Sequence, residues 1–204
     1  AIDNARGMLD WTRKKKRPTF GLSDRVYIAC EMLKASWRAA HPATVALWGA
    51  LSEAVKESLC APGQIYRVGP LAVRTDGSWL RIRLPSGRYL CYLQPKLSDK
   101  DEISYVGVNP YNKQWCRMKT YGGKLVENVT QASSRDILAH NMPWVDESGY
   151  PIVLHAHDEL VTETDDDPMF TVDALTSMMT TNPPWAEGLP LSAAGFETHR
   201  YRKG

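Results

Sequence analysis

At 204 residues the chain suffices for one domain or one lobe of a larger enzyme, and 43% hydrophobic content with seven tryptophans permits an aromatic-rich core. No apolar stretch reaches the roughly 18 residues of a membrane span and no signal peptide opens the chain, which argues against a membrane protein and for a cytoplasmic one. A net charge of +2 identifies no nucleic-acid partner by itself, and Cys30, Cys60, Cys91 and Cys116 form no CxxC pair, which argues against a cysteine zinc site and for reduced thiols.

The first 20 or so residues read as a basic, weakly ordered arm or a cut helix. They carry the run Arg13-Lys14-Lys15-Lys16-Arg17 and are punctuated by Pro18 and Gly21. Such a run serves either as a solvated segment or as a phosphate contact. Ser23 or Asp24 is placed to cap a helix running to about His41, with Val26, Tyr27, Cys30, Leu33 and Trp37 at helical spacing. Pro42 suits the first turn of a second helix, to about Cys60, with Val45, Trp48, Leu51 and Val55 on one face.

From Ala61 to Met118 the pattern becomes β-like, with turn signals at Asp76-Gly77, Ser86-Gly87 and Asn109-Pro110. Tyr121-Gly122-Gly123 opens a third helix, expected to end near Met142 before Pro143. A turn at Asp146–Tyr150 leads to a hairpin over Pro151–Thr164. After the acidic stretch Glu163–Asp167, Asp166-Asp167-Pro168 reads as a cap and first-turn proline of a helix through about Met179. The tail, Leu189 to Arg202, reads as an extended strand. Helices beside a small antiparallel sheet make the expected class α+β.

Chemistry concentrates in Ile152-Val153-Leu154-His155-Ala156-His157-Asp158-Glu159-Leu160-Val161. Two apolar runs flank an acidic centre, which in a tight hairpin lifts Asp158 and Glu159 at or near a turn. A metal-binding carboxylate needs such rigid placement, because Mg²⁺ demands near-octahedral oxygen geometry. Two other readings stand beside this one. On an alternating strand His155, His157 and Glu159 share a face that suits zinc, and the turn can equally be solvated with no metal. On the preceding helix Asn128, Gln131 and Arg135 fall at i, i+3 and i+7 and share a face. Val126, Val129, Ser133 and Ile137 point elsewhere. Amides and a guanidinium in a row suit the DNA minor groove, whose acceptors vary little with sequence; an ordinary solvated face has the same pattern.

Five blocks carry a resemblance. They are His157-Asp158-Glu159 in its apolar-strand setting; Gln131-Ala132-Ser133-Ser134-Arg135-Asp136-Ile137; Leu84-Pro85-Ser86-Gly87-Arg88-Tyr89-Leu90; Trp37-Arg38-Ala39-Ala40-His41-Pro42; and Thr120-Tyr121-Gly122-Gly123-Lys124-Leu125-Val126-Glu127-Asn128. In order and spacing, from about Leu22 to the C-terminus, they resemble family-A DNA polymerases, in particular phage-type relatives of bacterial DNA polymerase I. The first block is similar to the His-Asp-Glu signature known as motif C, and the second to the Gln-Gly-x-Ala-Ala-Asp-Ile helix before it. Two positions depart from the pattern. The family's Asn lies four residues before the Gln, whereas Asn128 lies three before Gln131, and Ala132 stands where Gly is usual.

The resemblance implies part of a polymerase palm bearing a motif C hairpin. Residues 1–22 would be a basic arm or truncated fingers segment, and residues 23–204 a C-terminal fingers/palm portion. It implies template-directed nucleotidyl transfer, with DNA primer-template and deoxynucleoside triphosphates as partners, in a bacterial or phage-infected cell. Asp158 would be a metal-binding catalytic carboxylate with Glu159 in support; His157 would lie near the primer terminus; Gln131, Arg135 and Asn128 would contact DNA. Two Mg²⁺ ions would serve the parent enzyme without being stably held here. The Asp-Tyr-Ser-type strand of motif A and the fingers helix of motif B do not occur in this sequence, since Pro18 breaks the faint echo of the latter at Lys16-x-x-x-Phe20-Gly21. This chain is therefore expected to be inactive alone. Two further readings are a non-catalytic nucleic-acid-binding or scaffolding module, and a metal hydrolase using His155, His157 and Asp158; no structural zinc is expected.

Overall fold

The computed structural model describes residues 1–16 and 19–201. Arg17, Pro18 and Arg202, on which some expectations fall, lie outside the described residues. The class is α+β: helices flank a six-stranded antiparallel sheet, and a two-stranded hairpin stands apart from it.

The N-terminal segment takes the helical form of the two expected. Helix α1 (Ile2–Lys14) buries Ala5, Leu9 and Thr12 and packs on α2 (Asp24–Ala40). Arg13 pairs with Asp24, and the hydroxyls of Thr12 and Tyr27 meet at 2.9 Å. Ser23 is the N-cap residue of α2, and Pro42 opens α3 (Pro42–Cys60), where its missing N–H costs nothing.

The β region is a meander of six strands, β1 (Tyr66–Val68), β2 (Leu71–Asp76), β3 (Trp79–Arg83), β4 (Tyr89–Leu97), β5 (Ile103–Val108) and β6 (Trp115–Thr120), each paired with its chain neighbour. Gly77 and Gly87 supply left-handed turn residues between β2 and β3 and between β3 and β4. One face of the sheet carries Val73, Leu80, Ile82 and Tyr92 into a core shared with Leu51 and Val55 of α3 and Leu125 of α4. Burying each such aliphatic side chain contributes about 1.5–3 kcal/mol.

Helix α4 (Gly122–Glu147) does not stop at Met142: it continues past Pro143 for another turn. Proline removes one backbone donor and crowds the preceding turn, but burial of the next turn offsets this. Val145 is fully buried in a second cluster with Tyr150 and Met178, bordered by Ile152, Phe170 and Leu175. At the start of the helix Gly122 lies against α3; a Cβ there would sit 2.0 Å from the Trp48 carbonyl oxygen.

Two further expectations are corrected. Helix α5 runs from Val172 to Met179, with Thr171 as its cap, accepting from the Ala174 N–H at 3.2 Å. The Asp167 segment forms a separate turn instead: its Oδ1 accepts from the Met169 N–H at 2.9 Å and its carbonyl from Phe170 at 3.0 Å. That turn delivers Phe170 edge-on to Tyr150. The tail forms no strand among the described residues. The Leu189 carbonyl is taken by the Asn182 amide at 2.8 Å, and Pro190, following it, has no N–H for a ladder.

Candidate nucleic-acid interface

The hairpin consists of β7 (Ile152–Ala156) and β8 (Glu159–Thr162), joined by a two-residue turn, His157-Asp158. Ala156 pairs with Glu159, so Glu159 is the first residue of the returning strand. His157 adopts a positive φ of 51°, the conformation that a two-residue turn needs to match the twist of its strands. His155, His157, Asp158 and Glu159 are all exposed. The arms remain apolar yet open, with Val153 and Leu154 exposed.

The base of the hairpin is fixed. The Ile152 N–H donates to Asp146 Oδ1 at 3.1 Å, at the end of α4, and the Glu163 N–H to the Pro151 carbonyl at 3.1 Å. Tyr150 OH bridges the Thr171 backbone, accepting from its N–H at 3.0 Å and donating to its carbonyl at 3.2 Å. The turn carboxylate is thus carried on a short ladder anchored in the second core cluster.

Register bears on the zinc pattern. His155 pairs with Leu160, and Ala156 with Glu159. Side chains directly opposite share a face and successive ones alternate, so His155 and Glu159 occupy opposite faces. Among the described residues no three His, Cys, Asp or Glu side chains lie close enough to hold a metal ion. Mg²⁺ is typically held by one or two carboxylates, with waters and substrate phosphates completing its octahedron; Asp158 and Glu159 are exposed carboxylates open to such partners.

The residues predicted on α4 separate in their engagements. Asn128 donates from Nδ2 to the Tyr92 hydroxyl at 3.0 Å, tying the helix to the sheet. Arg135 Nη1 donates to Met142 Sδ at 3.6 Å along its own helix. Gln131 is exposed and lines a cleft of about 700 Å³. Among the described residues no hydrogen bond or ion pair joins these three to the hairpin tip; Gln131 and Asp146 are about 22 Å apart along the helix axis, at 1.5 Å per residue.

The cleft adds residues that no role was assigned from sequence. Arg38, Trp48, Tyr121 and Thr130 line it with Gln131. Trp37 stacks on His41 with ring centroids at 4.4 Å and on Trp48 at 5.7 Å, and the Arg38 guanidinium lies 5.9 Å from the Trp48 ring centre. The His41 ring is held by Nδ1–H donating to the Trp37 carbonyl at 2.8 Å. The available signal was the crowding of Trp37, Arg38 and His41 at a helix junction; what it lacked was the fold that sets α3 against the start of α4.

No family model matches the chain, and no solved structure matches it. Its sequence is similar to a protein named DNA polymerase from Bacillus phage SP02, with 36% identity over 178 residues, covering 85% of this chain and 27% of that protein. The chain thus spans about a quarter of the length of the curated relative it matches.

Proposed function

We propose, from this kinship with a phage DNA polymerase, that the chain is the C-terminal fingers/palm portion of a DNA-directed DNA polymerase that performs template-directed nucleotidyl transfer. The observation that carries the reading is the two-residue turn presenting His157-Asp158, followed at once by Glu159, within a sequence 36% identical to the phage enzyme. The exposed Val153 and Leu154 on the hairpin arms are consistent with a ladder that completes a larger palm.

Asp158 is the metal-binding carboxylate in this reading, and Glu159 supports it from the adjoining strand. Two Mg²⁺ ions, when bound, supply charge neutralisation at the attacking 3′-oxygen and at the leaving phosphate oxygens. The chain's own contribution is to hold one carboxylate in fixed geometry. His157, on the same turn, reaches the primer terminus. Gln131, in its cleft, contacts bases and sugars through the minor groove, with Arg135 and Asn128 along the same helix. The partners are primer-template DNA and deoxynucleoside triphosphates, and the setting is the cytoplasm of a bacterial or phage-infected cell. No helix among the described residues is long and apolar enough to cross a membrane.

A second carboxylate-bearing strand of the Asp-Tyr-Ser type and a triphosphate-gripping helix do not occur in this sequence. Each such group supplies a large factor; removing one stabilising donor alone costs roughly 10²- to 10³-fold in rate. The chain alone is therefore inactive in this reading. The test is primer extension in Mg²⁺ with this chain, the full-length parent, and the parent bearing Asp158→Ala. Extension by the parent only is expected. Extension by this chain alone would show that no second half is needed, and full activity in the Asp158→Ala parent would remove Asp158 from the chemistry.

A further inference from the structure

The six-stranded sheet has a second face, opposite the one packed on α3 and α4. Residues directly opposite one another in antiparallel strands share a face, so register alone assigns its members. One cross-strand row runs Arg67, Ala72, Arg83, Tyr89. The next runs Arg74, Arg81, Cys91. A third runs Asp76, Trp79, Leu93, Val106, Arg117, and a fourth Lys96, Ser104, Lys119. Trp115, two residues before Arg117 on β6, points the same way.

This face is cationic, aromatic and open. Trp79, Tyr89 and Trp115 are 38%, 51% and 67% exposed. Arg67, Arg83, Lys96, Arg117 and Lys119 are exposed as well. The one acid within the four rows, Asp76, is already neutralised by Arg74 and by Arg81 at 3.2 Å. Glu102, at the sheet's end, pairs with Lys119 at 2.6 Å. Arg67 and Arg83 have no hydrogen-bond or ion-pair partner among the described residues. An outward sheet face needs polar side chains for solubility; it does not need three large aromatics spaced among guanidinium groups of which Arg67 and Arg83 are unpaired among the described residues, while Arg117 Nη1 donates to the Gln94 carbonyl at 3.0 Å and to Ser104 Oγ at 3.4 Å. At about 4.8 Å between strands, the platform is about 24 Å wide.

We infer that this face binds single-stranded DNA, with Trp79, Tyr89 and Trp115 stacking bases while Arg67, Arg83 and Arg117 contact phosphates. Every base has a π-face, so such a platform needs no particular sequence. A duplex is disfavoured, because its bases are already stacked on one another. The surface is distinct from the hairpin tip and from the Gln131 cleft, and the inference does not rest on Asp158 taking part in polymerisation.

The test is fluorescence anisotropy of a labelled oligothymidylate of about 15 nucleotides, near the upper end of known single-strand site sizes of about 4–16, titrated with this chain. The chain is expected to bind single strand more tightly than a duplex of equal length, with affinity falling as salt rises. Trp79→Ala/Trp115→Ala should weaken binding about tenfold or more, and Trp79→Phe/Trp115→Phe should retain most of it. Arg67→Gln/Arg83→Gln should reduce the slope of log K against log[salt] by about 1.4, or about 0.7 for each phosphate no longer neutralised. This pair carries the test should the alanine variant fail to fold. Failure of the chain to bind single strand at low salt would overturn the inference. So would unchanged binding in the variants, or equal binding of duplex with indifference to the aromatic substitutions.

Discussion

Arg88 reaches from the turn between β3 and β4 to Asp136 on α4, with Nε and Oδ1 2.6 Å apart, while its Nη2 donates to the Ala132 carbonyl at 3.0 Å. Ser86 adds a hydroxyl donor to the same carboxylate. The Asp136 side chain is only 10% exposed and that of Arg88 47% exposed, so the carboxylate depends on these two partners to replace its hydration.

Removing either end should therefore be asymmetric. Arg88→Ala leaves a largely buried carboxylate with one hydroxyl donor and should cost about 1–3 kcal/mol. Arg88→Lys should recover little of that, because an ammonium cannot hold both acceptors with the planar fork. Asp136→Asn should cost less than Arg88→Ala, since it removes the charge that needs a partner. Urea denaturation of the three variants checks the order; equal stability of Arg88→Ala and the unmodified chain would mean the ion pair contributes nothing to the fold.

The start of α4 leaves no room. Gly122→Ala would put a Cβ 2.0 Å from the Trp48 carbonyl oxygen, and backbone cannot turn aside as a side chain can. Overpacking of this kind costs about 1–3 kcal/mol or more, against the few tenths to 1 kcal/mol that alanine ordinarily gains over glycine within a helix. Thermal unfolding should show a clear drop in Tm for Gly122→Ala. Gly77→Ala, in an open turn with φ +56°, should be destabilised through backbone strain alone.

Burial pushes the Tyr92 phenol above its ordinary value, partly offset by the Asn128 amide. A raised folded-state value means the folded protein favours the protonated phenol. That contribution is fully present below the unfolded value near 10 and is lost as pH rises through the folded one. Spectrophotometric titration should show Tyr92 ionising above the ordinary tyrosine range, and Tyr92→Phe should diminish that late component. Ionisation of Tyr92 within the ordinary tyrosine range would contradict its burial.

Asp158 is exposed at a turn and belongs to neither core cluster. Asp158→Ala should leave stability within about 0.5 kcal/mol; on the proposed polymerase function it should also abolish extension by the full-length parent, and Gln131→Ala should weaken primer-template use more gently. Circular dichroism alongside primer extension separates the two effects: an unfolded Asp158→Ala chain would give the residue a structural role.

Much of this architecture was legible because local signals agreed with it. Pro42 starts α3, Asp76-Gly77 and Ser86-Gly87 turn the meander, and the apolar-acidic-apolar run around Asp158 forms a hairpin. Local rules failed where distant packing decided. Pro143 marks a helix end by itself, yet burial of Val145 carries α4 past it. Asp167-Pro168 has the chemistry of a helix start, yet the packing of Phe170 on Tyr150 commits those residues to a turn. Within the candidate sites, Asp158 and Glu159 could be placed from sequence because they are neighbours in the chain. The joining of Gln131 with Arg38, Trp48 and Tyr121 in one cleft could not, because it depends on α3 docking against α4.

The strictly sequential order of β1 to β6 bears on how the chain reaches this fold. Each pairing closes a loop of a few residues, at small entropic cost, so the sheet is expected to zip one hairpin at a time from local interactions. The docking of Gly122 on Trp48 instead closes a loop running from residue 48 to residue 122. With the meander already formed, that loop is bridged by a compact body rather than by slack chain, and the late, slow event is the closing of α3 on α4. Kinetic analysis of variants should then find the β2–β3 hairpin structured in the folding transition state and the Gly122–Trp48 packing still unmade.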